Sequence, residues 1–272
     1  MSNYEKENRM KNNQTGIGKN NHMQIIEIQI AGLSCNLYLP LGYNSTQERY
    51  PVIYVNGEIP IEEIVGEVKK AGVSAEFLLI SIQPDSWNDD FTPWSAPAFR
   101  EGEEAPAGMA DHYIRCLTKE IKPFIDANYR TKPEPEYTVL LGSSLGGLAA
   151  LYTAYKTDLF GVIGSLSGSL WYDNFCEYME RHKPLRENLK VYLSLGRKEC
   201  LSKNPRMGKV ADCTVRARGI LMQQLRVNAD DAKSDTQGRS FEKILFEWND
   251  GGHFHEIPKR FAKAIAWCTM IS

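Results

Sequence analysis

Apolar and polar residues alternate over residues 24–30 and again over 35–39, on either side of a glycine-containing turn. This period of two predicts an antiparallel pair of strands. The pattern then changes. Residues 50–55 and 77–82 are nearly continuous apolar runs, as strands covered on both faces require. Between them, residues 60–71 have helical spacing, opened by Pro60 and closed by Gly72. Residues 110–129 set Ile114, Leu117, Ile121, Phe124 and Ile125 on one helical face, with Pro123 placed to kink it. Further strands are expected at 137–141, 162–166, 190–195 and 241–248. Helices are expected from the turn at 142–147 to about residue 156, and at 173–181, 207–226 and 257–271. Strand alternating with helix predicts an α/β fold, a mostly parallel sheet with helices on both faces, in one domain over 24–272. Residues 1–23 are rich in Asn and Lys, carry no period and are expected to be a disordered terminus.

Composition narrows the partners. With 42% hydrophobic and 24% charged residues in 272, the chain is neither a disordered polymer, a collagen-like chain nor a coiled coil. A net charge of −2 gives no electrostatic reason to expect nucleic acid or an anionic membrane as partner. No apolar run approaches a membrane span, and residues 1–23 lack the apolar core of a secretory leader. Six cysteines, none in a CxxC pair, read as isolated thiols of a reducing compartment, so a cytoplasmic location is expected. The oligomeric state stays open.

The chemistry concentrates at Gly142-Ser-Ser-Leu-Gly-Gly147, which contains G-x-S-x-G centred on Ser144, between an expected strand and an expected helix. A sharp strand-to-helix turn would hold Ser144 in a strained backbone conformation, with its hydroxyl exposed at a helix N-terminus. Gly142 and Gly146 would prevent collision with neighbouring elements, and the Leu145 amide would point to where an oxyanion forms. A phosphate-binding loop is excluded, because no Lys-Ser/Thr follows. A serine nucleophile needs a base, and His253 lies in Trp248-Asn-Asp-Gly-Gly-His-Phe-His255, after the last strand and before the last helix. His255 is the rival, expected to face solvent. A His-x-His metal pair lacks a completing cysteine or carboxylate cluster, so no metal is expected. The acid should fall between serine and histidine. Glu199, on the loop after strand 190–195, leads over Asp173 and Asp212. A second oxyanion donor is expected from Gly57 or Glu58, at the end of strand 50–55.

Several short motifs in order extend the pattern beyond the serine turn. They are Tyr50-Pro-Val-Ile-Tyr-Val-Asn-Gly57, Asp90-Phe-Thr-Pro-Trp94, Glu120-Ile-Lys-Pro-Phe-Ile-Asp126, Tyr129-Arg-Thr131, Ser167-Gly-Ser-Leu-Trp171 and Gly251-Gly-His-Phe254. With them the chain, from about residue 23 to its end, resembles the putative-esterase branch of the α/β-hydrolases. That branch holds siderophore trilactone, esterase D and feruloyl-type esterases and the mycolyltransferases. Within it the chain is most similar to the siderophore esterases. The resemblance implies an α/β-hydrolase fold and ester or lactone hydrolysis through an acyl-serine, with no metal or organic cofactor. It implies Ser144 as nucleophile and His253 as base. Feruloyl or acetyl carbohydrate esters, acyl transfer to an alcohol, or a non-catalytic binding role are the alternatives.

Residues 84–108 form an expected long connection of functional length. Trp87, Phe91, Trp94 and Phe99 give it flat apolar surface, about half of which is expected to pack on the protein body. Trp94, Arg100 and, after Ser167-Gly-Ser169, Trp171 are the candidate substrate contacts. The connection is acidic, with Asp85, Asp89, Asp90, Glu101, Glu103 and Glu104 against Arg100 alone. Arg197, Lys198, Lys203, Arg206, Lys209, Arg216 and Arg218 follow strand 190–195 and form a basic counterpart, placed to meet the same cleft.

Overall fold

The computed structural model describes residues 23–226, 233–234, 240–241 and 243–270. The expected disordered terminus, apart from Met23, lies outside these residues. The opening alternation becomes β1 (Gln24–Ile30) and β2 (Leu33–Leu39), paired antiparallel. β3 (Val52–Asn56) begins two residues later than its apolar run. Pro51 has no amide to donate, and Tyr50 is left as a single bridge to Thr131. β4 (Leu78–Ile82), β5 (Thr138–Ser143), β6 (Val162–Leu166), β7 (Lys190–Gly196) and β8 (Ile244–Asn249) complete the sheet. Its order is β1-β2-β4-β3-β5-β6-β7-β8. β2 runs antiparallel to β4, and all strands from β4 onward are parallel.

The helices are α1 (Ile61–Lys70), the single turn α2 (Trp87–Asp90), α3 (Ala110–Cys116), α4 (Lys122–Asn128), α5 (Leu145–Thr153), α6 (Phe175–Arg181), α7 (Val210–Gln224) and α8 (Ile257–Met270). The continuous helix expected over 110–129 is interrupted by a wider π turn at Leu117–Ile121, just before Pro123. Proline lacks the donor that an α turn needs, and a π turn absorbs the mismatch with little change of direction. Side-chain alternation along the strands sorts the core onto two faces. Tyr54, Ile80, Leu140, Ile163 and Leu193 pack beneath α3 to α7. Ile53, Val55, Leu79, Leu141 and Tyr192 pack against Ile64 and Val68 of α1 and Phe261 and Ile265 of α8. Among the described residues no helix is long and apolar enough to cross a membrane.

The motif residues around 120–131 act in folding rather than chemistry. Lys122, almost fully buried, donates to Asp126 Oδ2 at 2.7 Å and to Pro133 O at 3.1 Å, while Thr131 Oγ1 donates to Asp126 Oδ1 at 2.7 Å. The Tyr50 amide donates to Arg130 O at 2.9 Å and the Lys132 amide to Tyr50 O at 2.8 Å, so this knot fixes the start of β3. Asp126→Ala leaves a buried ammonium short of its anion. The substitution should cost about 3 kcal/mol, seen as a lower urea midpoint with an unchanged slope.

Candidate active site

All the strands from β4 onward point their C-terminal ends the same way, and the connections leaving that edge carry the candidate residues. Ser144 follows β5 directly and has φ 57° and ψ −125°, a conformation seldom populated by a residue with a side chain. The turn leaves no room around it. A Cβ on Gly142 would lie 2.1 Å from Gly146 O, and one on Gly146 would lie 2.8 Å from Asn56 O. Only glycine fits either place. The Ser144 amide donates to Leu166 O at 3.1 Å, and its carbonyl accepts from the Gly147, Leu148 and Ser169 amides. The hydroxyl stays half-exposed, 3.5 Å from Ser169 Oγ. Leu145 is the first residue of α5, so its amide has no acceptor within the helix.

Glu199 and His253 meet beyond the ends of β7 and β8. His253 Nδ1 lies 2.8 Å from Glu199 Oε2. The other carboxyl oxygen, Oε1, accepts from Ser167 Oγ at 2.6 Å, the Gly196 amide at 2.7 Å and Arg260 Nη1 at 3.2 Å. Burial of this carboxyl opposes its charge. The bonds from His253, Ser167 and Gly196 outweigh that cost and hold its pKa below the ordinary glutamate value. An ionised carboxylate only accepts, so the proton between the pair belongs to His253 Nδ1, and the neutral ring keeps Nε2 as an acceptor. Among the described residues no hydrogen bond joins His253 to Ser144. Such contacts are often long before substrate is present.

The rival residues are engaged elsewhere. His255 is more than half exposed and lies 3.7 Å from Glu256. Asp173 pairs with Arg206 at 2.8 Å. Among the described residues no group of three His, Cys, Asp or Glu side chains is arranged to hold a metal ion. Gly57, expected to supply the second oxyanion amide, does not: its N–H donates to Ile82 O at 2.8 Å, continuing the β3–β4 ladder. The Glu58 amide, the alternative, makes no hydrogen bond among the described residues. Gly57 has φ 99°, and a Cβ there would strike the Trp87 ring at 2.7 Å.

A cleft of about 240 Å³ opens beside Ser144, lined by Trp87, Phe99, Arg100, Ser169 and Trp171 among others. Arg100 and Trp171 are therefore where the sequence suggested. Trp94 is not. Its indole donates to Asp173 O at 3.0 Å, its ring packs among Tyr152, Tyr172 and Tyr178, and it lines a separate concavity. Phe91 is wholly buried. The acidic residues of this connection brace it: Asp89 Oδ1 accepts from the Ala107 amide at 2.6 Å, and Asp90 Oδ2 from the Ser86 amide at 3.1 Å. Two of the basic residues expected at the cleft are also engaged. Arg206 binds Asp173 and the Pro97 and Ala98 carbonyls, and Arg216 binds Glu177 and Glu180.

Three residues escaped the sequence reading. Asn56 donates to Gly146 O at 3.0 Å and accepts from Tyr113 at 2.9 Å, tying the end of β3 to the serine turn. Ser167 and Arg260 complete the Glu199 cradle. Arg260 left one signal: it falls on the apolar stripe of α8 with Ile257, Phe261 and Ala264, where a charge demands a partner.

The sequence model of the family described as "Putative esterase" matches residues 32–249. The chain belongs to that esterase family. This esterase is 31% identical over 168 residues to the uncharacterized protein YbbA of Bacillus subtilis, covering 60% of this chain and 67% of that one. Its fold is shared with an IroE-like serine hydrolase from Shewanella oneidensis (TM-score 0.70, 16% identity, covering 92% of this chain and 80% of that one). It is also shared with the siderophore hydrolase EstA from Aspergillus nidulans (TM-score 0.61, 19% identity, covering 92% and 95%). The esterase thus has the α/β-hydrolase fold that the motifs implied, and it is a carboxylic ester hydrolase.

The depressed Glu199 pKa has a signed consequence. Its contribution to stability is complete above the unfolded value of about 4.3 and disappears as pH falls from there through the lower folded value. Urea unfolding of Glu199→Gln over about pH 5 to 3 should therefore show a shallower loss of stability than the parent esterase. An equal slope would mean that Glu199 is not held ionised.

Proposed function

We propose that this esterase cleaves carboxylic esters or lactones through an acyl-serine at Ser144, with His253 as base and Glu199 as the acid that orients it. The observation that carries the reading is the His253 Nδ1–Glu199 bond, which leaves Nε2 as the free acceptor at the sheet edge that carries the partly exposed Ser144. His253 takes the hydroxyl proton as Oγ attacks the carbonyl carbon, and the carbonyl oxygen becomes an oxyanion facing the Leu145 and Glu58 amides. Collapse breaks the ester C–O bond, and His253 gives its proton to the leaving alkoxide. Water, deprotonated by the same nitrogen, then attacks the acyl carbon and releases the acid and Ser144. Each proton is passed by His253, and the sequence of steps requires no metal or organic cofactor.

Cleft size and lining favour an acyl group with a flat ring. About 240 Å³ is below the range of roughly 300–1,000 Å³ that encloses a drug-sized ligand, so the cleft takes one ring and leaves the rest of a large substrate outside. Phe99 and Trp171 meet edge to face, with centroids 5.6 Å apart, and Arg100 shares the lining with Glu103, to which it is paired at 3.5 Å. An ester whose acyl part carries a flat ring, either directly or through an amide, matches these features, and EstA, which shares the fold, is a siderophore hydrolase. The substrate is a small molecule, and six free thiols, four of them buried, support a reducing compartment such as the cytoplasm.

A fluorophosphonate should label the esterase once, on the peptide carrying Ser144. Ser144→Ala should lose both labelling and turnover of 4-nitrophenyl acetate. A folded but unlabelled protein would sink the proposal. A panel of trilactones, feruloyl sugars and acetylated sugars should show the highest kcat/KM for an ester whose acyl part carries an aromatic ring; preference for acetyl esters would remove the ring assignment. An added alcohol acceptor separates hydrolysis from acyl transfer.

A further inference from the structure

We infer that Arg260 is a positioning residue for the reaction, holding the acid and the base in register from the last helix. This rests on the proposed roles of Ser144, His253 and Glu199. The side chain is almost completely buried, and its guanidinium divides its donors between two targets. Nη1 reaches Ser167 Oγ at 2.7 Å and Glu199 Oε1 at 3.2 Å. Nη2 reaches Asp250 O at 3.1 Å and Gly252 O at 2.8 Å, in the loop that delivers His253. Two further carbonyls there are held from the Glu199 side. Asn249 O accepts the Arg197 amide and Gly251 O the Lys198 amide, both at 2.9 Å.

Arg260 therefore spans the gap between two separate connections, one after β7 and one after β8. A planar fork with fixed donor directions suits this task, because moving one connection breaks a bond to the other. The cation also compensates the buried Glu199 charge while leaving Oε2 to His253. Ser167 extends the brace. It accepts from Arg260 and donates to Glu199, and its φ of 47° is one of few left-handed values at a non-glycine residue. This backbone conformation sets the hydroxyl between the two charges.

A positioning residue and a merely stabilising one differ in a double-mutant cycle. With 4-nitrophenyl acetate as substrate, Arg260→Met should lower kcat by about 10–100-fold and change KM by less than about twofold. In a Glu199→Gln background the same substitution should cost less than about threefold, because the carboxylate through which Arg260 acts on His253 is gone. Circular dichroism and thermal unfolding establish that each variant folds. If Arg260→Met does not fold, Ser167→Ala, which keeps the cation and removes the bridging hydroxyl, carries the same cycle. Undiminished kcat in Arg260→Met, or losses that multiply fully in the Glu199→Gln background, would overturn the inference. Fluorophosphonate labelling of the unmodified esterase keeps the two readings apart: if Ser144 is not labelled, the parent proposal fails whatever Arg260 does.

Discussion

The carboxylate of Glu199 is the group around which this site is assembled. A buried glutamate is costly unless every lone pair finds a donor, and here the donors come from four places in the chain. One oxygen is satisfied by Ser167, the Gly196 amide and Arg260. The other is left for His253. This division fixes the geometry of the base. The donors on Oε1 belong to β7, to the connection after β6 and to α8, all packed into the sheet, so Oε2 can point in only one direction. His253 sits on a glycine-containing loop whose backbone is held by Arg260 and the Arg197 and Lys198 amides, and its ring takes its orientation from that oxygen.

The serine turn solves a second problem by different means. Ser144 must be exposed, and the exposure is obtained from backbone strain, since its φ and ψ are accessible only if the chain on either side is fixed. Three carbonyl-directed amides, the Asn56 bond to Gly146 O and two glycines with no space for a Cβ supply that fixity. Asn56 stands between β3 and the turn, so the two amides proposed for the oxyanion, Leu145 and Glu58, are held by one side chain. Both solutions depend on the parallel sheet, which presents the connections after β3, β5, β6, β7 and β8 from one edge.

How much of this the sequence carries follows from the range of each interaction. Strands β3 to β7 are legible because burial on both faces leaves continuous apolar runs, and the serine turn because its glycines are demanded locally. Glu199 and His253 are legible through their position after strands. The strand order and the antiparallel β2 come from pairing between distant segments, and pairing also decides which amide after β3 is left without an acceptor. Gly57 is excluded only because the β3–β4 register puts Ile82 O opposite its N–H. Trp94 and Trp171 are alike as sequence features, and packing alone assigns one to the body and the other to the cleft. Asp89, Asp90, Arg206 and Arg216, read with their neighbours as opposing faces of a binding site, instead brace loops and join helices, because ion pairing across the fold leaves no trace in local charge.

The proposed chemistry stands on Glu199 fixing the tautomer of His253, and nitrogen NMR of the esterase with isotope-labelled histidine measures that directly. Neutral His253 should carry its proton on Nδ1, leaving Nε2 unprotonated, and Glu199→Ala should release this preference. A neutral ring protonated on Nε2 would contradict it, since that nitrogen could then take no proton from Ser144.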